Sequence, residues 1–151
     1  MPAELVIESR IDQVACARQW LSEQARAAGV PERQIQELGL VVSEACANVI
    51  KHAYRGELGH QITLRLDIDQ AKVVLSIRDC GAPFDPDSYV PPDLDQPREG
   101  GYGIFIMRSL MDEVHYDTSC NCGTTLTLVK YRAAPTAGER QGEGTSQRGA
   151  T

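Results

Sequence analysis

From Gln61 to Asp69 apolar and polar residues alternate without a break, with Ile62, Leu64, Leu66 and Ile68 on one side of the chain. A period of two does not suit a helix, so this stretch is a strand with one buried face. A tight turn around Asp69-Gln70 leads to Val73, Leu75 and Ile77 at the same spacing, which predicts an antiparallel hairpin. A lone hairpin is marginal in water, so its apolar face needs a cover.

The sequence supplies that cover as helices. Ile11, Val14, Leu21, Ala25 and Ala28 recur at helical spacing, with Ser9 as the expected cap, Asp12 as the acidic half of a capping box, and Gly29 as the stop. Pro31 and Glu32 suit the first turn of a second helix, whose apolar stripe is Ile35, Leu38, Val42, Ala45 and Val49 and which runs to about Tyr54. Gly56 and Gly59 mark the turn out of it. Before these helices, Leu5 and Ile7, with Val6 on the opposite face, predict a short first strand. After the hairpin, helical spacing resumes from Tyr102 to Met111, and Val114 to Thr118 and Thr124 to Val129 read as two closing strands. The fold class is therefore α+β, a mainly antiparallel sheet with its helices on one face.

Between these elements, Ala82 to Gly101 is rich in Pro, Asp and Gly and lacks periodicity. Loops that long within a compact domain are usually functional lids or disordered. Residues 1–131 form the expected domain, and residues 132–151, which have no apolar pattern, an expected disordered tail.

Composition narrows the function classes. A net charge of −6 without a basic cluster disfavours nucleic acid and anionic membrane, both of which need Lys and Arg against phosphate. The N-terminus lacks the basic start and apolar run of a signal peptide, and the apolar runs are too short to span a bilayer, so a cytoplasmic protein is expected. Five cysteines are an odd number for a closed disulfide framework. Cys120 and Cys122 are too close in sequence for a usual zinc half-site, and two or more of the five read as small core residues.

Three features carry chemistry. Glu44 and Asn48 are i and i+4 on the second helix, so a carboxylate and an amide stack on one face beside the buried stripe. A carboxylate there can orient or deprotonate a hydroxyl, and an amide carbonyl can bind a hard cation. Asp79 and Gly81 end the second hairpin strand, an acceptor for an exocyclic amine beside a residue that permits close backbone approach. Gly100-Gly101-Tyr102-Gly103 opens a helix, where backbone N–H groups and the positive end of the macrodipole can meet phosphate. Each has a plainer explanation alone: a polar helix edge, a strand-ending turn, a flexible hinge.

Their order resembles the GHKL superfamily of ATPases, which includes gyrase, heat-shock chaperones, histidine kinases and MutL. Four segments resemble its anti-sigma kinase branch, the RsbW/SpoIIAB type: Ser43 to Tyr54, Asp79 to Pro86, Gly100 to Asp112, and Gly123 to Leu126. The resemblance covers roughly residues 4–131 and implies a Bergerat two-layer fold binding ATP with Mg²⁺. It implies that Asn48 holds the Mg²⁺, that Glu44 is the catalytic base or orients the attacking hydroxyl, and that Asp79 reads the adenine amino group with support from Thr125. It further implies that Gly81 admits the purine, that Gly101 and Gly103 cradle phosphates, and that about 87–100 is the lid.

The resemblance also implies function: a serine/threonine protein kinase, usually a homodimer, that phosphorylates a small STAS-domain antagonist and sequesters a sigma factor. The first strand and first helix are available as a dimer surface. The alternative is a nucleotide-dependent binding module without kinase activity; a standalone ATPase would have no segment to couple to hydrolysis. Arg98 and Arg108 are candidates for phosphate or partner contact, whereas Lys51 and His52 read first as a solvated helix end.

Overall fold

The computed structural model describes residues 2–83, 103–119 and 123–132. The elements run β1 (Ala3–Glu8), α1 (Asp12–Ala27), α2 (Glu32–Asn48), a π-helical turn (Val49–Ala53), β2 (Gln61–Ile68), β3 (Lys72–Arg78), α3 (Gly103–Leu110), β4 (Glu113–Asp117) and β5 (Thr125–Tyr131). The strands form one sheet in the order β1-β2-β3-β5-β4, and every neighbouring pair is antiparallel. The α+β class expected from the alternation holds.

The hairpin sits where its periodicity requires. Leu64 pairs with Ile77 and Leu66 with Leu75, all buried on the helix-covered face. Asp69 closes the turn by accepting hydrogen bonds from the Ala71 and Lys72 N–H groups (2.7 and 2.9 Å), the side-chain turn for which Asp is suited. β5 adds Leu126 opposite Ile77 and Leu128 opposite Leu75, extending the apolar face.

α1 and α2 lie over that face. α1 buries Ala17, Leu21 and Ala25, which are four residues apart, and α2 buries Ile35, Leu38, Val41, Val42, Ala45 and Cys46. Removing a fully buried leucine from water contributes about 1.5–3 kcal/mol, so this seam is a main stabilising contact. α1 stops as the sequence predicts. Gly29 has φ +81°, its N–H donates to the Arg26 carbonyl, and the Val30 N–H donates to the Ala25 carbonyl, the paired bonds of a Schellman ending.

Its start differs from expectation. The N-cap position is Ile11, with no side-chain capping bond. The Ser9 hydroxyl donates instead to the Glu57 carbonyl (2.7 Å), and Asp12 pairs with Arg10 (2.6 Å). Ser9 is fully buried between β1 and the loop before β2, so a tertiary bond takes its hydroxyl. Ile11 and Ala28, placed in the stripe by spacing, are exposed.

Of the three described cysteines, Cys46 is in the core, where burial pushes its thiol up to about 12, while Cys16 and Cys80 are exposed. Arg132, the first residue of the sequence-predicted tail, bonds through its backbone N–H to Ala71 (2.8 Å) and through its guanidinium to the Asp69 carbonyl (2.9 Å). Residues 133–151, the lid at about 87–100, Arg98, Gly101, Cys120 and Cys122 lie outside the described residues.

Candidate active site

Asn48 is the last residue of α2, and Glu44 lies one turn before it; both are half-buried. Beyond Asn48 the backbone widens into the π turn, in which the Tyr54 N–H reaches the Val49 carbonyl (2.9 Å). Such turns recur at functional sites because they displace the groups that follow. Here the Ala53 carbonyl accepts a bond from the Ala82 N–H (2.9 Å). A methyl group added at Gly81 would overlap the Ala53 carbonyl, with the carbonyl carbon 2.6 Å away. Glycine at 81 thus lets the end of β3 dock backbone to backbone on the helix.

Asp79 stands at that junction, only 4% exposed. Its N–H donates to the Thr124 carbonyl (3.0 Å), and its Oδ1 accepts from the Gly81 N–H (2.9 Å). Burial pushes the carboxyl's pKa up, and backbone bonds from Gly81 and Thr124 oppose this without cancelling it. Gly123 makes the junction possible from the other side. It has φ +78°, and a methyl group there would strike the Asp79 carbonyl and stand 2.7 Å from Cys80 Cα. Gly123→Ala is expected to cost about 2–5 kcal/mol, combining left-handed strain with overpacking. Urea unfolding checks the loss, which should exceed that of an alanine placed at exposed Gly56, also at positive φ but with nothing within 4 Å.

The first residue of α3 completes the arrangement. A methyl group on Gly103 would lie 3.0 Å from Glu44 Oε1 and 3.0 Å from Asn48 Nδ2. The helix N-terminus is therefore set directly over the carboxylate and amide of α2. α3 is held there by buried Met107 and by Lys130, whose Nζ donates to the Leu110 carbonyl (2.7 Å) and lies 3.7 Å from Glu37. The cation sits at the negative end of the helix, the favourable sense.

Glu44, Asn48 and Gly103 are thus brought together, and Asp79 with Gly81 forms a second cluster docked on the turn that follows Asn48. A purine amino group needs a buried acceptor, which Asp79 supplies in the second cluster. The space beside Gly81 is filled by Ala53, so this glycine serves the docking of the segment on the helix rather than the close approach of a purine expected from the sequence. Phosphates need N–H donors and a cation ligand, which the first has. The donor set therefore fits ATP with Mg²⁺.

Thr125 is not beside Asp79. It pairs with Arg78 and Asp117, and strand alternation puts its side chain on the open face of the sheet, away from the helices. Thr124, buried and bonded to the Asp79 backbone, occupies the place expected of Thr125. The signal was available: stepping back two residues from apolar Leu126 reaches Thr124, not Thr125. Lys51 and His52 are exposed on the π turn, and Arg108 is exposed near the end of α3.

Comparison with known proteins agrees with the fold. Residues 7–130 match the histidine kinase-like ATPase domain. The chain is 33% identical to the serine-protein kinase RsbW of Bacillus velezensis, over 95% of this chain and 91% of that protein. It is 32% identical to the serine-protein kinase RsbW of Listeria innocua, over 84% of this chain and 85% of that protein. A crystal structure of the RsbU and RsbW domains of a Mycobacterium tuberculosis protein shares the fold, with a TM-score of 0.65 at 20% identity, covering 89% of this chain and 34% of that longer one. With 124 consecutive residues spanned by one family model and near-full-length relatives above 30% identity, the chain belongs to the histidine kinase-like ATPase domain family, in the group of the RsbW serine-protein kinases.

Proposed function

We propose that this chain is an ATP-dependent serine/threonine protein kinase acting in a partner switch: it phosphorylates a small STAS-domain antagonist and, when the antagonist is phosphorylated, sequesters a sigma factor. The observation that carries the reading is the placement of Glu44 and Asn48 against the first residue of α3. Asp79 accepts a hydrogen bond from the adenine amino group, with Thr124 beside it and Gly81 allowing the segment to dock on Ala53. Gly103, with Gly101 before it, offers backbone N–H groups to the phosphates. Asn48 supplies an amide oxygen to Mg²⁺. When bound, the Mg²⁺ supplies charge neutralisation on the phosphates. Glu44 orients the attacking hydroxyl and takes its proton, while positioning and electrostatics provide most of the rate.

Phosphorylation adds about −1.5 to −2 charges to the antagonist, enough to separate it from a surface it otherwise binds. The reading includes a homodimer and a cytoplasmic location; among the described residues no helix is long and apolar enough to cross a membrane. The test uses the STAS-domain proteins and sigma factors of the same genome. The immobilised chain, loaded with Mg²⁺ and a non-hydrolysable ATP analogue so that no phosphoryl group can be transferred, is expected to retain one sigma factor and release it when the unphosphorylated antagonist is added. The phosphorylated antagonist should release none. A chain that retains the sigma factor equally in all three conditions is not a partner switch.

A further inference from the structure

The geometry points to Tyr54 as a positioning residue for adenine recognition, holding the backbone on which Asp79 and Gly81 are mounted. Tyr54 follows the π turn directly and is 4% exposed. Its hydroxyl donates to the Gln61 carbonyl at the start of β2 (2.6 Å) and accepts from the Cys80 N–H (2.8 Å). Cys80 lies between Asp79 and Gly81, so one hydroxyl fixes the peptide linking the carboxylate to the glycine. The tyrosine itself is well held. Its ring stacks on His60, with centroids 4.5 Å apart and planes 8° from parallel. His60 is fixed in turn, its N–H bonded to the buried Ser9 hydroxyl (3.1 Å).

The neighbouring contacts explain why a side chain is needed there. Asp79 is anchored from one side by Thr124, and Ala82 from the other by Ala53. Between these two anchors the Cys80 N–H points at neither, and Tyr54 supplies its acceptor. Without that hydroxyl the 79–81 segment gains freedom, and the position of the carboxylate relative to a bound purine is less sharply set. A loosely placed acceptor loses most of its discrimination, because a hydrogen bond weakens steeply with distance and angle.

This inference rests on the reading of Asp79 as the adenine contact, and the test separates the two. ATP and inosine triphosphate differ at the purine where Asp79 would bind: inosine carries an oxygen in place of the amino group. Affinities of both are measured for the wild-type chain and for Tyr54→Phe, which keeps the stacked ring and deletes only the hydroxyl. The wild-type chain is expected to prefer ATP, and Tyr54→Phe to bind ATP about five- to tenfold more weakly with a narrowed ATP-to-inosine preference, the scale of one hydrogen bond. A general loss of stability would weaken both nucleotides together and leave their ratio unchanged. If the wild-type chain shows no preference, the adenine reading of Asp79 fails. If it prefers ATP and Tyr54→Phe keeps the same ratio, the role assigned to Tyr54 fails. Amide exchange gives an independent check on the unsubstituted protein, where the Cys80 N–H is expected to exchange slowly; exchange at the rate of an open loop would also overturn the assignment.

Discussion

Asp79→Asn is expected to weaken ATP binding by about ten- to a hundredfold while the chain stays folded. The buried carboxylate already accepts from the Gly81 and Thr124 backbone N–H groups and, in the proposed ATP complex, takes a third bond from the adenine amino group. Asparagine keeps one accepting oxygen and places an NH₂ where the second stood, so donor faces donor at one of these contacts. A hydrogen bond to a charged acceptor contributes about 1.5–3 kcal/mol, and each 1.4 kcal/mol is a factor of ten. Calorimetric titration with ATP checks the loss.

The same residue gives a pH signature without nucleotide. Burial raises the Asp79 pKa in the folded chain. Its favourable contribution to folding is therefore full below the ordinary carboxylate value and declines as pH rises through the raised folded value. Asparagine does not titrate. The melting-temperature difference between Asp79→Asn and wild type should accordingly move in the variant's favour between pH 3.5 and pH 7.5, roughly bracketing the ordinary carboxylate range and neutrality.

Glu44→Ala is expected to leave ATP binding near the wild-type value and to slow phosphoryl transfer by about 10²–10⁴-fold, the usual scale of a positioned acid–base group. Glu44 is half-buried on α2, and alanine is the best helix former, so the substitution carries little risk to folding. Its carboxylate faces Gly103 together with Asn48, which places it at the phosphate end, away from the Asp79 cluster. Glu44→Gln provides the control, since it keeps the shape and loses the charge. Single-turnover transfer should fall for both variants; a wild-type rate in either would remove Glu44 from the role of base.

The parts of this molecule legible from sequence are those set by local periodicity. The β2–β3 hairpin follows from Ile62 to Ile77 because alternation determines a face, and the end of α1 follows from Gly29 because few other residues suit φ +81°. What local pattern misreads is decided across the fold. Ser9 has the chemistry of a cap, yet its hydroxyl is taken by Glu57, 48 residues away. Tyr54 reads as the end of a helix, whereas its hydroxyl joins β2 to the segment after β3. The π turn at Val49–Ala53 leaves no propensity signal, because it answers to the docking of Gly81 and Ala82. The pairing of Glu44 with Asn48 was visible as i, i+4, but that Gly103 covers them comes from the packing of α3 on α2.

One labelling experiment tests directly whether the γ-phosphoryl group is transferred to a protein hydroxyl. Wild-type chain and Glu44→Ala are each incubated with γ-labelled ATP, Mg²⁺ and extract of the native host, and labelled proteins are analysed for phosphoserine and phosphothreonine. One small protein is expected to be labelled on serine or threonine with the wild-type chain, and little or no label is expected with Glu44→Ala. ATP binding without any labelled protein would contradict this and leave a nucleotide-dependent binding module in place of a kinase.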